Sequence, residues 1–270
     1  MMAQESRAIE YLTAEVQSWR GGNGCFSCHN NGDGARALLV AHQRGVPVPQ
    51  EPLRETIGWL TKPDSWDPKP LARVQFAAAM QAARTARMVD SSEASARAAE
   101  LIAGDQSTDG HWKVDEELAP GSAVTYGPVL GTWLARSFLK DVDHQRYQLA
   151  IERADAWMKS TQPKHVLDLA ALVWALGRKE DVARLIQQQT ANGSWNAEPF
   201  DTAVALIALT GQRNCEQCVQ AAKRGRHYLL SSQLEPGGWP GTTRPAGGGS
   251  YAQHISTSAW ALLALLEFPR

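Results

Sequence analysis

Along most of the chain apolar side chains recur at spacings of three and four, the pattern of a helix with a buried stripe. No segment keeps the strict alternation that a half-buried strand requires. DTAVALIALTG (201–211) is typical: Asp201 stands where an N-cap belongs and Gly211 where a C-terminal stop belongs. Ser256 holds the N-cap place in the final apolar run, ISTSAWALLALLEF.

The helices come in pairs. LIAGDQSTDGHWKV (101–114), LIQQQTANGSWNAE (185–198) and LLSSQLEPGGWPGT (229–242) each join an apolar helix end, a Gln, turn-forming residues and a Gly-x-Trp or Gly-Gly-Trp. Each then leads into a second apolar helix. Looser copies lie at 153–177, 54–80 and 8–45. Such self-similarity marks a repeat architecture. It predicts one domain, 1–270, of six helical hairpins at about 8–45, 53–88, 93–139, 146–178, 180–211 and 215–266. Six pairs can stack laterally and close on themselves, leaving no end repeat exposed. The predicted fold is therefore all-α, an (α/α)6 toroid. A linear α-solenoid would need polar capping repeats, and neither end has that character.

Composition adds little beyond exclusions. A formal net charge of −1 gives no electrostatic case for nucleic acid or an anionic membrane, and no apolar run is long enough to span a bilayer. The start, MMAQESRAIE, lacks the basic and apolar regions of a signal peptide. Ten tryptophans against five phenylalanines and five tyrosines is unusual, and it points to indoles at repeated structural places.

The Q-x-x-x-G-x-W loops resemble the QW repeats of squalene–hopene cyclases and related terpenoid cyclases, and the six-pair plan resembles protein prenyltransferase β subunits. The chain also resembles a bacterial group of squalene-cyclase-like repeat proteins with a CxSCH-type segment near the N-terminus. The resemblance implies that Gln106/Trp112, Gln189/Trp195 and Gln233/Trp239 tie neighbouring outer helices together. It also places the acidic D-x-D-D-T-A stretch of class II cyclases at Glu198-Pro199-Phe200-Asp201-Thr202-Ala203. There the middle acid is Phe200, so the usual proton donor is missing and Asp201 reads as an N-cap. The zinc ligands of the prenyltransferases have no counterpart, and neither inherited activity is expected.

Cys25-Phe26-Ser27-Cys28-His29 has the spacing of a c-type haem attachment site, with His29 as the proximal iron ligand. Glycines on both sides suggest a long loop over about 19–34. In a closed ring the sixth hairpin neighbours the first, so His254 is the first choice of distal ligand and Met80 the second. Met80 and Met88 also read simply as core filler. Zinc held by Cys25, Cys28 and His29, with Asp33 or His254 completing the set, is the alternative cofactor. Cys215 and Cys218 fall at the far end of the barrel, as a local disulfide or two buried thiols.

The sequence thus leads to a periplasmic or secreted haem c protein for electron transfer or haem-dependent redox chemistry, with a redox partner protein. Two alternatives stand beside it. One is a zinc-clipped, non-catalytic scaffold for a small apolar ligand or a partner. The other is an atypical terpenoid-cyclase-like enzyme that uses some other acid.

Overall fold

The computed structural model describes residues 3–90, 92–114, 126–212, 214–242 and 250–268. Among the described residues there are twelve α-helices and no strand. They are α1 (Ala3–Asn23), α2 (Ala35–Gln43), α3 (Gln50–Leu60), α4 (Pro70–Thr85), α5 (Ser92–Gly104), α6 (Gly127–Asp143), α7 (Gln148–Ser160), α8 (Val166–Leu176), α9 (Lys179–Gln187), α10 (Pro199–Thr210), α11 (Glu216–Ser231) and α12 (Tyr251–Glu267). A π-helical turn, Cys28–Gly34, runs directly into α2.

The even-numbered helices form an inner ring in which each packs on the next, and α12 returns to α2 and the π-turn. Their sequences explain the placement. α8, α10 and α12 are apolar nearly all round and are buried on almost every face. The odd-numbered helices stand outside and bury only a stripe; α11 covers Ala221, Ala222 and Leu229 and leaves its other face wet.

Gln and Trp hold the layers together in the same way three times. Trp112, Trp195 and Trp239 are fully buried and donate their indole N–H to Ile102, Leu185 and Leu229 carbonyls at 2.7, 2.8 and 2.7 Å. The amides of Gln106, Gln189 and Gln233 each donate across to the next outer helix: to Ala150 O on α7, Ala221 O on α11 and Gln4 O on α1, at 2.8, 2.8 and 2.9 Å. Arg153, Arg224 and Arg7 on those helices donate back to the Gln side-chain oxygens. The third contact joins the last hairpin to the first, and so it closes the ring. A buried Arg226–Glu5 ion pair at 2.8 Å lies beside it.

The glycine of each of these loops is obligatory. At Gly110 and Gly193 φ is positive, and a Cβ would stand 2.5 Å from the carbonyl oxygens of Arg153 and Arg224. Gly237 is tighter still against Arg7.

Two helix starts differ from the sequence reading. Pro199 at the first position starts α10 early, so Asp201 lies inside its first turn, buried, accepting from Asn196 Nδ2 at 3.0 Å. A capping box of Ser250 and Gln253 starts α12 at Tyr251, which places Ser256 in the second turn, fully buried.

Candidate functional site

Residues 28–34 are not an exposed loop. Helix α1 continues to Asn23, a short bend follows, and the chain then enters the π-turn, of which His29 through Gly34 are buried. The polar residues that suggest a loop are spent on holding this turn. Ser27 Oγ accepts from Asn30 N at 3.1 Å, and Asn31 Oδ1 accepts from Ser27 N at 3.1 Å. Asn31 Nδ2 reaches Thr56 Oγ1 on α3 at 3.0 Å, while Asn30 Nδ2 donates to Glu15 O and to Tyr251 Oη at 2.9 and 2.8 Å. Gly32 lies so close to Gln75 that a Cβ would be 3.0 Å from that residue's Cβ. The wide π-turn, pinned this way, drives Asp33 into the centre of the ring.

Asp33 is fully buried. The Tyr126 hydroxyl at the start of α6 donates to its Oδ1, in a short hydrogen bond, and Gln75 Nε2 on α4 donates to its Oδ2 at 2.7 Å. Trp260 on α12 in turn donates its indole N–H to Tyr126 Oη at 3.0 Å. Burial pushes the Asp33 carboxyl up to about 6, against the opposing pull of Tyr126, Ser256, Gln75 and the Arg36 charge. Aromatic rings from other hairpins gather next to it. Tyr126, Phe200 and Trp260 lie 5.4 to 6.0 Å apart between centroids, and Trp174 and Trp133 continue the cluster at 6.2 and 5.9 Å. The centre of the ring therefore holds a protonatable carboxyl set against apolar π surfaces.

Sequence reasoning reached Asp33 only as a spare zinc ligand and missed Tyr126, Gln75 and Trp260 as its neighbours. Nothing local signals them, because the partners lie 93 and 42 residues away along the chain.

The residues expected to hold haem or zinc lie at the entry to this turn and in the sixth hairpin. Cys25 is exposed, while Cys28 is turned inward, and burial, with Asp33 and Asp67 nearby, pushes its thiol up to about 12. The His29 ring stands edge-on to Trp19 and Tyr251, with centroids 4.8 and 5.7 Å away. Burial lowers His29 to about 4. His254 Nδ1 takes the Gly241 N–H at 3.1 Å and lies 3.2 Å from the Trp239 carbonyl, within the sixth hairpin. Met80 is fully buried in α4 as packing. Cys215 and Cys218 form a disulfide at the start of α11. Among the described residues no group of three or more His, Cys, Asp or Glu could hold a metal ion, and no helix is long and apolar enough to cross a membrane.

An all-helical ring of this kind is the fold of the type II terpene cyclases. The D109N variant of MstE from Scytonema, solved in complex with geranylgeranyl dihydroxybenzoate as substrate, matches with a TM-score of 0.60 at 16% identity over 97% of this chain and 96% of its own. The unliganded structure of MstE itself matches with a TM-score of 0.61 at 15% identity over 98% of both chains. ent-Copalyl diphosphate synthase from Streptomyces platensis matches with a TM-score of 0.57 at 16% identity, over 87% of this chain and 50% of its own. At these identities the likeness establishes the fold. No protein-family profile matches the sequence.

These findings overturn the haem c and electron-transfer reading. Solved type II terpene cyclases match over nearly the whole of this chain and of their own, and the C-x-x-C-H segment leads from an exposed Cys25 into the π-turn whose His29–Gly34 are buried.

Proposed function

We propose that the protein is an atypical terpenoid-cyclase-like enzyme that protonates a small apolar, acyclic isoprenoid from Asp33. The observation that carries this reading is one buried carboxyl, raised to about 6, with hydrogen-bond donors on both oxygens and aromatic rings beside it. Position 200, where the resemblance puts the cyclase acid, is a phenyl ring packed on Tyr126; the acid comes instead from the first hairpin and meets the same tyrosine. The Gln–Trp loops support a place among the QW-repeat cyclases, and the Cys215–Cys218 disulfide supports a periplasmic or secreted location.

In the reaction the Asp33 proton forms a C–H bond with one alkene carbon, using the alkene π pair and leaving a carbocation on the other. A second alkene supplies its π pair to that cation and closes a C–C ring bond. Loss of a proton from the last cation to water gives a cyclic isomer of the substrate, and solvent reprotonates Asp33. Tyr126 and Gln75 stabilise the carboxylate that forms, being already aimed at its oxygens. Aromatic π surfaces favour the cations over the neutral substrate.

The test is incubation with farnesol, geranylgeraniol, farnesoic acid and squalene, followed by mass spectrometry of the extract. A cyclic isomer of unchanged mass is expected, with turnover reduced roughly 10²–10⁴-fold in Asp33→Asn. No cyclic product from any of these, with folded protein, removes the proposal.

A further inference from the structure

Among the described residues, a cation that cyclisation does not call for lies against the aromatic centre. Arg36, in the first turn of α2, lays its guanidinium 4.8 Å from the centroid of the Trp260 ring. Its Nη1 is buried and has no hydrogen-bond partner. Arg73, Arg136 and Arg226 each close on a carboxylate, Asp105, Asp155 and Glu5, at 2.6, 2.9 and 2.8 Å, although Arg73 Nε and Arg226 Nη1 are also buried without a hydrogen-bond partner. Asp33 is the acid facing Arg36, but it directs its two oxygens to Tyr126 and Gln75. Arg36 is half-buried with Asp33 as its near charge, and its buried Nη1 N–H groups have no acceptor; such orphaned donors are costly, and a planar fork of N–H donors is complementary to carboxylate or phosphate oxygens.

We infer that Arg36 is the recognition point for an anionic group, carboxylate or phosphate, carried by the isoprenoid substrate. This rests on the cyclase reading and narrows its substrate class. Asp33 and Arg36 are three residues apart, which on a helix is about 4.5 Å of rise. Head group and reacting alkene then bind at the same level of the ring, which suits a short chain of two or three isoprene units. An anion there also neutralises Arg36, removing its pull on the Asp33 carboxyl, so binding of the correct substrate keeps the proton donor charged with its proton.

The inference is tested by binding rather than turnover. Tryptophan fluorescence titrations would compare geranic and farnesoic acids with geraniol and farnesol, and with inorganic phosphate alone. Wild-type protein is expected to bind the acids at least tenfold more tightly than the alcohols, through charge-assisted hydrogen bonds to the guanidinium. Asp33→Asn should keep that preference, Arg36→Lys should keep part of it, and Arg36→Met should lose it. Equal affinity of wild-type protein for acids and alcohols overturns the inference while leaving the cyclase reading intact. Tight, Arg36-dependent binding of phosphate with no gain from an isoprenoid tail overturns it in favour of a free-anion site. Where Arg36→Met does not fold, Arg36→Lys decides, an undiminished preference for the acids overturning the assignment.

Discussion

Asp33 and His29 lie four residues apart on one π-helical turn, and burial moves their titrations in opposite directions. Asp33 is raised from 3.8 to about 6, so the folded state holds its proton more tightly than the unfolded chain, and stability from this group grows as pH falls through 6 toward 4. His29 is lowered from 6.5 to about 4, so the unfolded chain takes the proton first, and stability is lost as pH falls from 6.5 toward 4. The two shifts are each worth roughly 3 kcal/mol and offset one another in that window. Asp33→Asn is therefore expected to be more stable than wild type at pH 7 by up to roughly 3 kcal/mol, and to lose stability on acidification to pH 4. His29→Phe should instead gain stability on acidification. Urea midpoints at pH 7 and pH 4 check both, and parallel pH dependence in the two variants would contradict the assignment. Turnover should fall as pH rises through about 6, because only the protonated Asp33 can donate.

At the scale of elements, the Gln–Trp loops do the joining. Trp195→Phe strands the Leu185 carbonyl and is expected to cost about 1–3 kcal/mol in chemical denaturation. Gln189→Ala and Gln233→Ala remove equivalent bonds, yet their effects should differ in place. The first loosens α9 against α11, whereas the second opens the closure and should raise hydrogen exchange in α1, at the other end of the sequence. These loops were legible in the sequence because each is local: a Gln, a positive-φ glycine and an indole within seven residues, repeated three times. The π-turn was not. GGNGCFSCHNNGDG has the glycines and polar residues of an exposed loop, and only the fold reveals that Ser27, Asn30 and Asn31 bond one another and the neighbouring helices. The early starts of α10 and α12 were missed for a smaller reason: Pro199 and the Ser250–Gln253 box compete with the more familiar caps at Asp201 and Ser256.

For the whole molecule, the twelve-helix toroid follows from the hairpin count, and ring closure follows from Gln233 and Arg226 meeting the first helix. What the sequence could not supply is which side chains from six hairpins arrive at the centre. Phe200 in place of an acid read as the loss of proton-donor chemistry, while the carboxyl proposed here as the donor lies in another hairpin, out of sight of any linear pattern. The central claim is that this interior carboxyl delivers a solvent-derived proton to an isoprenoid. Turnover in D2O followed by mass spectrometry of the cyclic product tests it most directly. A product carrying one non-exchanging deuterium, absent from Asp33→Asn incubations, is the predicted result; a cyclic product without deuterium, or one formed equally well by Asp33→Asn, would contradict it.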